Sequence, residues 1–247
     1  MKVNYCVKGE GRTIILLHGW GGSIGSLEKL QQELADMGFQ VFNLDLPGFG
    51  DSGIPGKAMT LDDYVEYLDK LVTRLNIYKP IFVGHSFGGK LAMKYAINKP
   101  GTLSNLVVID ASGINPRNSA KRSLLYLPAK IFGAVFDLPG LKLVKPIVRK
   151  LFYKFVVREH DYVKSDHIRQ TFQNIISEHL DGKLDQIKTD TLVIWGEKDT
   201  VTPLWQGQQL ASKIAGSRFE VVEGAKHSLP LEMPEVVARI IYSYLNN

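Results

Sequence analysis

Residues 84–88 read Gly-His-Ser-Phe-Gly, directly after the apolar run IFV and before the helix-like stretch KLAMKYAIN. A sharp turn between a strand and a helix presses the backbones at i−2 and i+2 together. Glycine therefore suits both places, and Ser86 is lifted clear of the sheet edge. The first amides of the following helix aim at the same spot and add positive potential where an oxyanion would form. The chemistry such a serine could do is nucleophilic attack, but its hydroxyl is a poor nucleophile until a base takes its proton.

Six histidines compete for that role. His85 adjoins the serine, and adjacent residues on this turn point apart. His18 lies in the turn HGWGG, while His160, His167 and His179 fall in a helical stretch. His227, in VVEGAKHSLPLE, follows the last apolar strand-like run at the edge where parallel strands would end, and position selects it as the base. The imidazole needs a carboxylate to fix its tautomer and stabilise its cation. Asp199 (TLVIWGEKD) and Asp110 (NLVVID) both end strand-like runs at that edge. Asp199 is preferred for its polar, turn-forming loop, and Glu197 is a weaker candidate. Two oxyanion donors complete the set: the amide of Trp20, in the glycine-rich turn after TIILL, and the amide of Phe87, just after the nucleophile.

These loops need a frame. β-type apolar runs occur at 3–7, 13–17, 40–44, 81–84, 105–109, 191–195 and 218–222, several of them continuous rather than alternating. Continuous runs of this kind suit strands covered on both faces. Helical spacing lies between most of them: Leu27, Leu30 and Leu34; Leu61, Val65, Leu68, Val72 and Leu75; Leu91 and Tyr95; and Val236 through Tyr244. The alternation predicts an α/β fold, a mostly parallel doubly wound sheet of about seven or eight strands. It breaks once, at 112–183, where helical patches punctuated by Pro128, Pro139-Gly140 and Pro146 replace strands. The expected division is a core of 1–111 and 184–247 with a helical insertion at 112–183. That insertion holds 13 Lys/Arg against 6 Asp/Glu, whereas the whole 247-residue chain has a net charge of only +5.

Such a mild charge gives no argument for nucleic acid. Cys6 is the only cysteine, so no internal disulfide can form. MKVNYCVKGEG shows no signal-type apolar region, and no stretch approaches the roughly 18 uncharged apolar residues of a membrane span. The expectation is a cytoplasmic protein whose basic insertion could make weak contact with an anionic lipid surface.

Taken together, the motifs resemble the α/β-hydrolase superfamily over nearly the whole chain. HGWGGS resembles its oxyanion turn, LDLPGFGDSG the loop after the next strand, and VGHSFGG its nucleophile elbow. LVIWGEKDTVTP resembles its acid loop and EGAKHSLPLEMPEVV its histidine loop. The order Ser86, Asp199, His227 is the family's order, and the insertion falls where members carry a helical cap. Lys226 and Asp190 stand where relatives often have glycine and proline. Asp45 and Asp51 read as turn residues rather than catalytic acids.

The resemblance implies two-step acyl transfer through an acyl-enzyme, with no metal and no organic cofactor. It first implies hydrolysis of a small-molecule carboxylic ester, with cap candidates Ile168, Phe172, Ile175, Ile176, Leu124, Leu127 and Phe132 along the apolar pocket. It also admits a carbon–carbon bond hydrolase of ring-fission dienoates, in which Arg169 would bind a substrate carboxylate. A slow-turnover ligand sensor that keeps the same residues is a third reading. Serine at the elbow argues against the dehalogenase and epoxide-hydrolase relatives, which place Asp there.

Overall fold

In this computed structural model, residues 2–115 and 166–246 are described. The chain divides into two compact units, Met1–Ile114 with Asp166–Asn247, and Asn115–Ser165. The first contains all the elements below. Leu124, Leu127, Phe132 and His160 lie outside the described residues.

Seven strands form one sheet: β1 (Tyr5–Lys8), β2 (Arg12–Leu17), β3 (Phe39–Leu44), β4 (Ile81–His85), β5 (Asn105–Ile109), β6 (Thr191–Gly196) and β7 (Arg218–Val222). Their spatial order is β1-β3-β2-β4-β5-β6-β7. Only β1 runs antiparallel, pairing Tyr5 with Leu44; every other neighbour is parallel. All of β4 and β6, and most of β2, β3 and β5, is buried, as their continuous apolar runs require.

The helices are α1 (Ile24–Asp36), α2 (Leu61–Arg74), α3 (Phe87–Asn98), α4 (Asp166–Ser177), α5 (Leu204–Lys213), α6 (Leu229–Glu232) and α7 (Pro234–Leu245). Because strand side chains alternate between faces, each strand feeds two cores. Ile15, Leu17, Phe82, Val108 and Trp195 face the core built with α2, α3 and α5. Ile14, Leu16, Val83, Ile109 and Ile194 face the core built with α1 and α7. A reciprocal cap starts α2: Thr60 accepts the Asp63 amide while Asp63 accepts the Thr60 amide.

Helix α4, read from sequence as part of the insertion, belongs to the first unit. Its Thr171 hydroxyl accepts the Met59 amide at 2.9 Å, and its Asn174 amide donates to the Met59 carbonyl at 3.1 Å. Lys90, buried on α3, donates to the carbonyls of Ile175, at 2.5 Å, and of Glu178. An ammonium at a helix C-terminus satisfies carbonyls that have no partner in the helix.

Candidate active site

The parallel strands deliver their C-terminal loops to one edge of the sheet. Ser86 stands between β4 and α3 with φ 52 and ψ −111, a conformation few side-chain-bearing residues adopt. Backbone bonds hold it there: its amide donates to Ile109, and its carbonyl accepts from Lys90 and Ser112. The two flanking glycines are sterically required. A Cβ at Gly84 would come within 2.3 Å of the Gly88 carbonyl oxygen, and one at Gly88 within 2.1 Å of that of Leu17.

His227 comes from the loop after β7, 141 residues along the chain, and its Nε2 lies 3.1 Å from Ser86 Oγ. Its Nδ1 lies 2.7 Å from Asp199 Oδ2, on the loop after β6. An ionised carboxylate can only accept, so Nδ1 carries the proton and Nε2 is left bare toward the serine hydroxyl. Asp199 is buried, and Oδ1 accepts the amides of Val201 and Thr202. Burial alone would push its carboxyl up, but hydrogen bonds and charge from His227, with further bonds from Thr202, hold it below the ordinary carboxylate range. The structure thus brings Ser86, His227 and Asp199 into one hydrogen-bonded chain.

Phe87 follows this serine directly, and the turn that carries Trp20 comes up against it. The Trp20 turn packs close, since a Cβ added at Gly19 would sit 3.4 Å from Ser86 Cβ. The Phe87 amide opens α3 and is one of the first-turn donors with no partner in its own helix. The rings of Trp20 and Phe87 meet edge-on at 5.5 Å, and Phe172 of α4 covers Trp20 at 5.0 Å. Of the other apolar α4 candidates, Ile168 and Ile175 are buried while Ile176 is exposed. Arg169 is exposed on the same helix.

Three residues acquire roles the sequence did not assign. Thr202 Oγ1 lies 2.7 Å from Asp199 Oδ2, 3.0 Å from the Asp110 carbonyl and 3.2 Å from His227 Nδ1. The signal was present in DTVTP: an aspartate whose carboxylate accepts amides two and three residues on forms a local turn. His85 Nε2 donates to the His227 carbonyl at 2.7 Å, so this histidine holds the backbone of the base instead of reaching the serine. Buried His18 accepts the Leu46 amide on Nε2 at 3.0 Å, which leaves Nδ1–H to donate to the Gly19 carbonyl at 2.7 Å. Burial pushes both imidazoles down to about 4, keeping them neutral.

Asp110, the other carboxyl considered from sequence, is fully buried at the end of β5 and accepts the Gly196 amide at 2.8 Å. Burial pushes its carboxyl up to about 8; the Gly196 amide opposes this and the charge of Asp199 adds to it. Asp45 accepts the amides of Ile24 and Asp51 and the side-chain amide of Asn4, as a turn residue would. Lys226 is exposed.

Among the described residues, one group has spacing that could hold a metal: His85, Asp110 and His227, with ligand atoms within 4.8 Å of one another. Both ring nitrogens of His227 already serve Ser86 and Asp199, so a metal there would compete with that chain. No helix among the described residues is long and apolar enough to cross a membrane.

A model of the alpha/beta hydrolase family matches residues 14–240. The 2-hydroxy-6-oxo-6-phenylhexa-2,4-dienoate hydrolase of Comamonas testosteroni is 23% identical over 265 residues, covering 98% of this chain and 91% of that one. Among solved structures, an esterase from Exiguobacterium antarcticum superposes with a TM-score of 0.76 at 23% identity, over 99% of this chain and 96% of the other. The enol-lactonase of Burkholderia xenovorans LB400 gives a TM-score of 0.76 at 19% identity, with the same coverage. At such identities, structural likeness speaks to the fold.

Proposed function

The chain belongs to the alpha/beta hydrolase family, and from that premise we propose that it is a serine hydrolase that cleaves a carboxylic ester through an acyl-enzyme. The observation that carries this reading is the continuous chain Ser86 Oγ–His227 Nε2, 3.1 Å, and His227 Nδ1–Asp199 Oδ2, 2.7 Å. Ser86 Oγ attacks the ester carbonyl carbon as its proton passes to His227 Nε2. The developing oxyanion accepts hydrogen bonds from the Trp20 and Phe87 amides, and loss of one such donor typically costs about 2.7–4 kcal/mol of barrier. His227 then gives the proton to the departing alkoxide. A water takes the alcohol's place, loses a proton to His227 and attacks the acyl carbon, and Ser86 is regenerated as the acid leaves. Asp199 holds His227 in the required tautomer throughout. The division into an alpha/beta core of 1–111 and 184–247 with a cap at 112–183, and a small ester as ligand, belong to the same proposal.

A second reading, carbon–carbon bond hydrolysis of a dienoate, is favoured by the Comamonas relative's named activity and near full-length match. Labelling with a fluorophosphonate followed by turnover of a graded p-nitrophenyl ester series and a ring-fission dienoate separates these readings. We expect labelling at Ser86, its loss in Ser86→Ala, and turnover that favours esters. Labelling that persists in Ser86→Ala would refute the nucleophile, and turnover of the dienoate alone would replace the ester reading with the second.

A further inference from the structure

The proposed reaction leaves Asp110 without a task, yet it is placed as no spectator would be. It is fully buried and held at φ 46, in the left-handed region. One carboxyl oxygen accepts the Gly196 amide, whereas Oδ2 has no hydrogen-bond partner among the described residues. Burying an ionised carboxylate with an orphaned oxygen is costly; a protonated carboxyl instead supplies a donor.

The titratable groups that face it come from three elements: Asp199 from the loop after β6, His227 from the loop after β7, and His85 from the end of β4. Two carboxylates sharing a buried site do not readily ionise together. Asp199 is the better anion, because the Val201 and Thr202 amides, the Thr202 hydroxyl and His227 all donate to it. Asp110 therefore keeps its proton, and burial reinforces this, raising its carboxyl to about 8. A carboxyl oxygen of Asp110 and a ring nitrogen of His227 also lie within 4.8 Å, and Thr202 Oγ1 touches Asp199 Oδ2, the Asp110 carbonyl and His227 Nδ1.

We propose that Asp110 is a second positioning carboxyl of the site, which holds a proton while Asp199 is ionised and can orient His227 when residue 199 is unable to ionise, as in Asp199→Asn. The inference rests on the Ser86–His227–Asp199 reading above. In that variant Asp110 gives its proton to solvent as pH rises, and the resulting carboxylate accepts from the imidazole, whose ring nitrogen lies within 4.8 Å of a carboxyl oxygen of Asp110.

The test measures the second-order rate of fluorophosphonate labelling from pH 6 to 9 in wild type, Asp110→Asn, Asp199→Asn and the double variant. Asparagine tolerates a left-handed backbone and keeps an acceptor for the Gly196 amide, so Asp110→Asn preserves the turn. The expected result is that Asp199→Asn outpaces the double variant by a ratio that grows with pH and reaches at least tenfold at pH 9. The same Asp110→Asn change should cost at least tenfold less in the wild-type background. A ratio near one at every pH, or one that does not change with pH, overturns the proposal. If the double variant does not fold, Asp199→Asn/Asp110→Ser carries the same expectation. Wild type that is not labelled at Ser86 would instead sink the underlying hydrolase reading, so the two failures are distinct.

Discussion

Ser86 is held where a side chain is strained, at a cost of about 1–3 kcal/mol. Three backbone hydrogen bonds from β5 and α3 and their flanks keep it there. The residue scale is also where the two carboxyls part company. Asp199→Asn should lower kcat by up to about 10⁴ if geometry is kept, with Asp110 making the loss smaller at high pH. Steady-state kinetics check this, and an equal loss from Asp110→Asn alone would show that the wrong acid had been chosen. Asp110 also makes a stability prediction whose sign is fixed. Its folded-state carboxyl is raised from 3.8 to about 8. Between those limits the native state holds a proton that the unfolded chain has lost, so stability falls as pH rises, by at most about 1.4 kcal/mol per pH unit. Asp110→Asn removes that penalty, so its melting temperature relative to wild type should climb from pH 4 to pH 8 and then level off. A difference that is constant across pH would mean Asp110 does not carry the proton. Ser86, His227 and Asp199 were legible in sequence from their motifs, and Thr202 left a local signal in DTVTP, whereas His85 left none. Its partner is set by a contact across the folded edge, the His227 carbonyl 142 residues away.

At the scale of elements, all seven strand runs read from the sequence fold as strands, and in the middle of the sheet uninterrupted β-branched and aliphatic stretches have little alternative to burial. The elbow is as tightly determined. The close approach of Gly88 to the Leu17 carbonyl predicts that Gly88→Ala forces α3 away from β2. The expected cost is about 3 kcal/mol, read by denaturant unfolding, and a loss below about 1 kcal/mol would show that the turn can relax. Helix α4 was legible as a helix, but its attachment was not. Lys90 looks from sequence like one more helix lysine, whereas it closes the C-terminal end of α4 through the Ile175 and Glu178 carbonyls. Replacing it with methionine leaves buried carbonyls unpaired, at about 1–3 kcal/mol. Lys90→Met should therefore speed amide exchange in α4 roughly tenfold or more, while exchange in α1 stays as in wild type. Uniform exchange across both helices would refute the clamp.

Over the whole molecule, charge is distributed unevenly: the stretch 112–183 carries 13 Lys/Arg and 6 Asp/Glu within a chain of net +5. Surface potential of that kind should favour anionic over neutral vesicles in low-salt flotation and lose the preference near 0.5 M salt, where screening shortens to a few ångströms (the Debye length is about 3 Å at 1 M). Equal binding to both vesicle types would reject lipid contact. The sequence alone determined the strand–helix alternation, the sharp turn that presents Ser86, and the short list of bases and acids. Each of these is local, dictated by apolar runs, glycine sterics or residue type within a few positions. Only the tertiary structure decided which carboxyl meets His227. The polar, turn-forming loop of Asp199 favoured it in the sequence, but Asp110 and Asp199 end adjacent parallel strands at the same edge and both could reach the imidazole. The fold turns Asp199 Oδ2 to 2.7 Å from the ring and surrounds it with donors, while leaving an oxygen of Asp110 buried with no partner among the described residues. Strand adjacency and the path of a loop set that difference, and both are long-range consequences of packing the sheet between its helices.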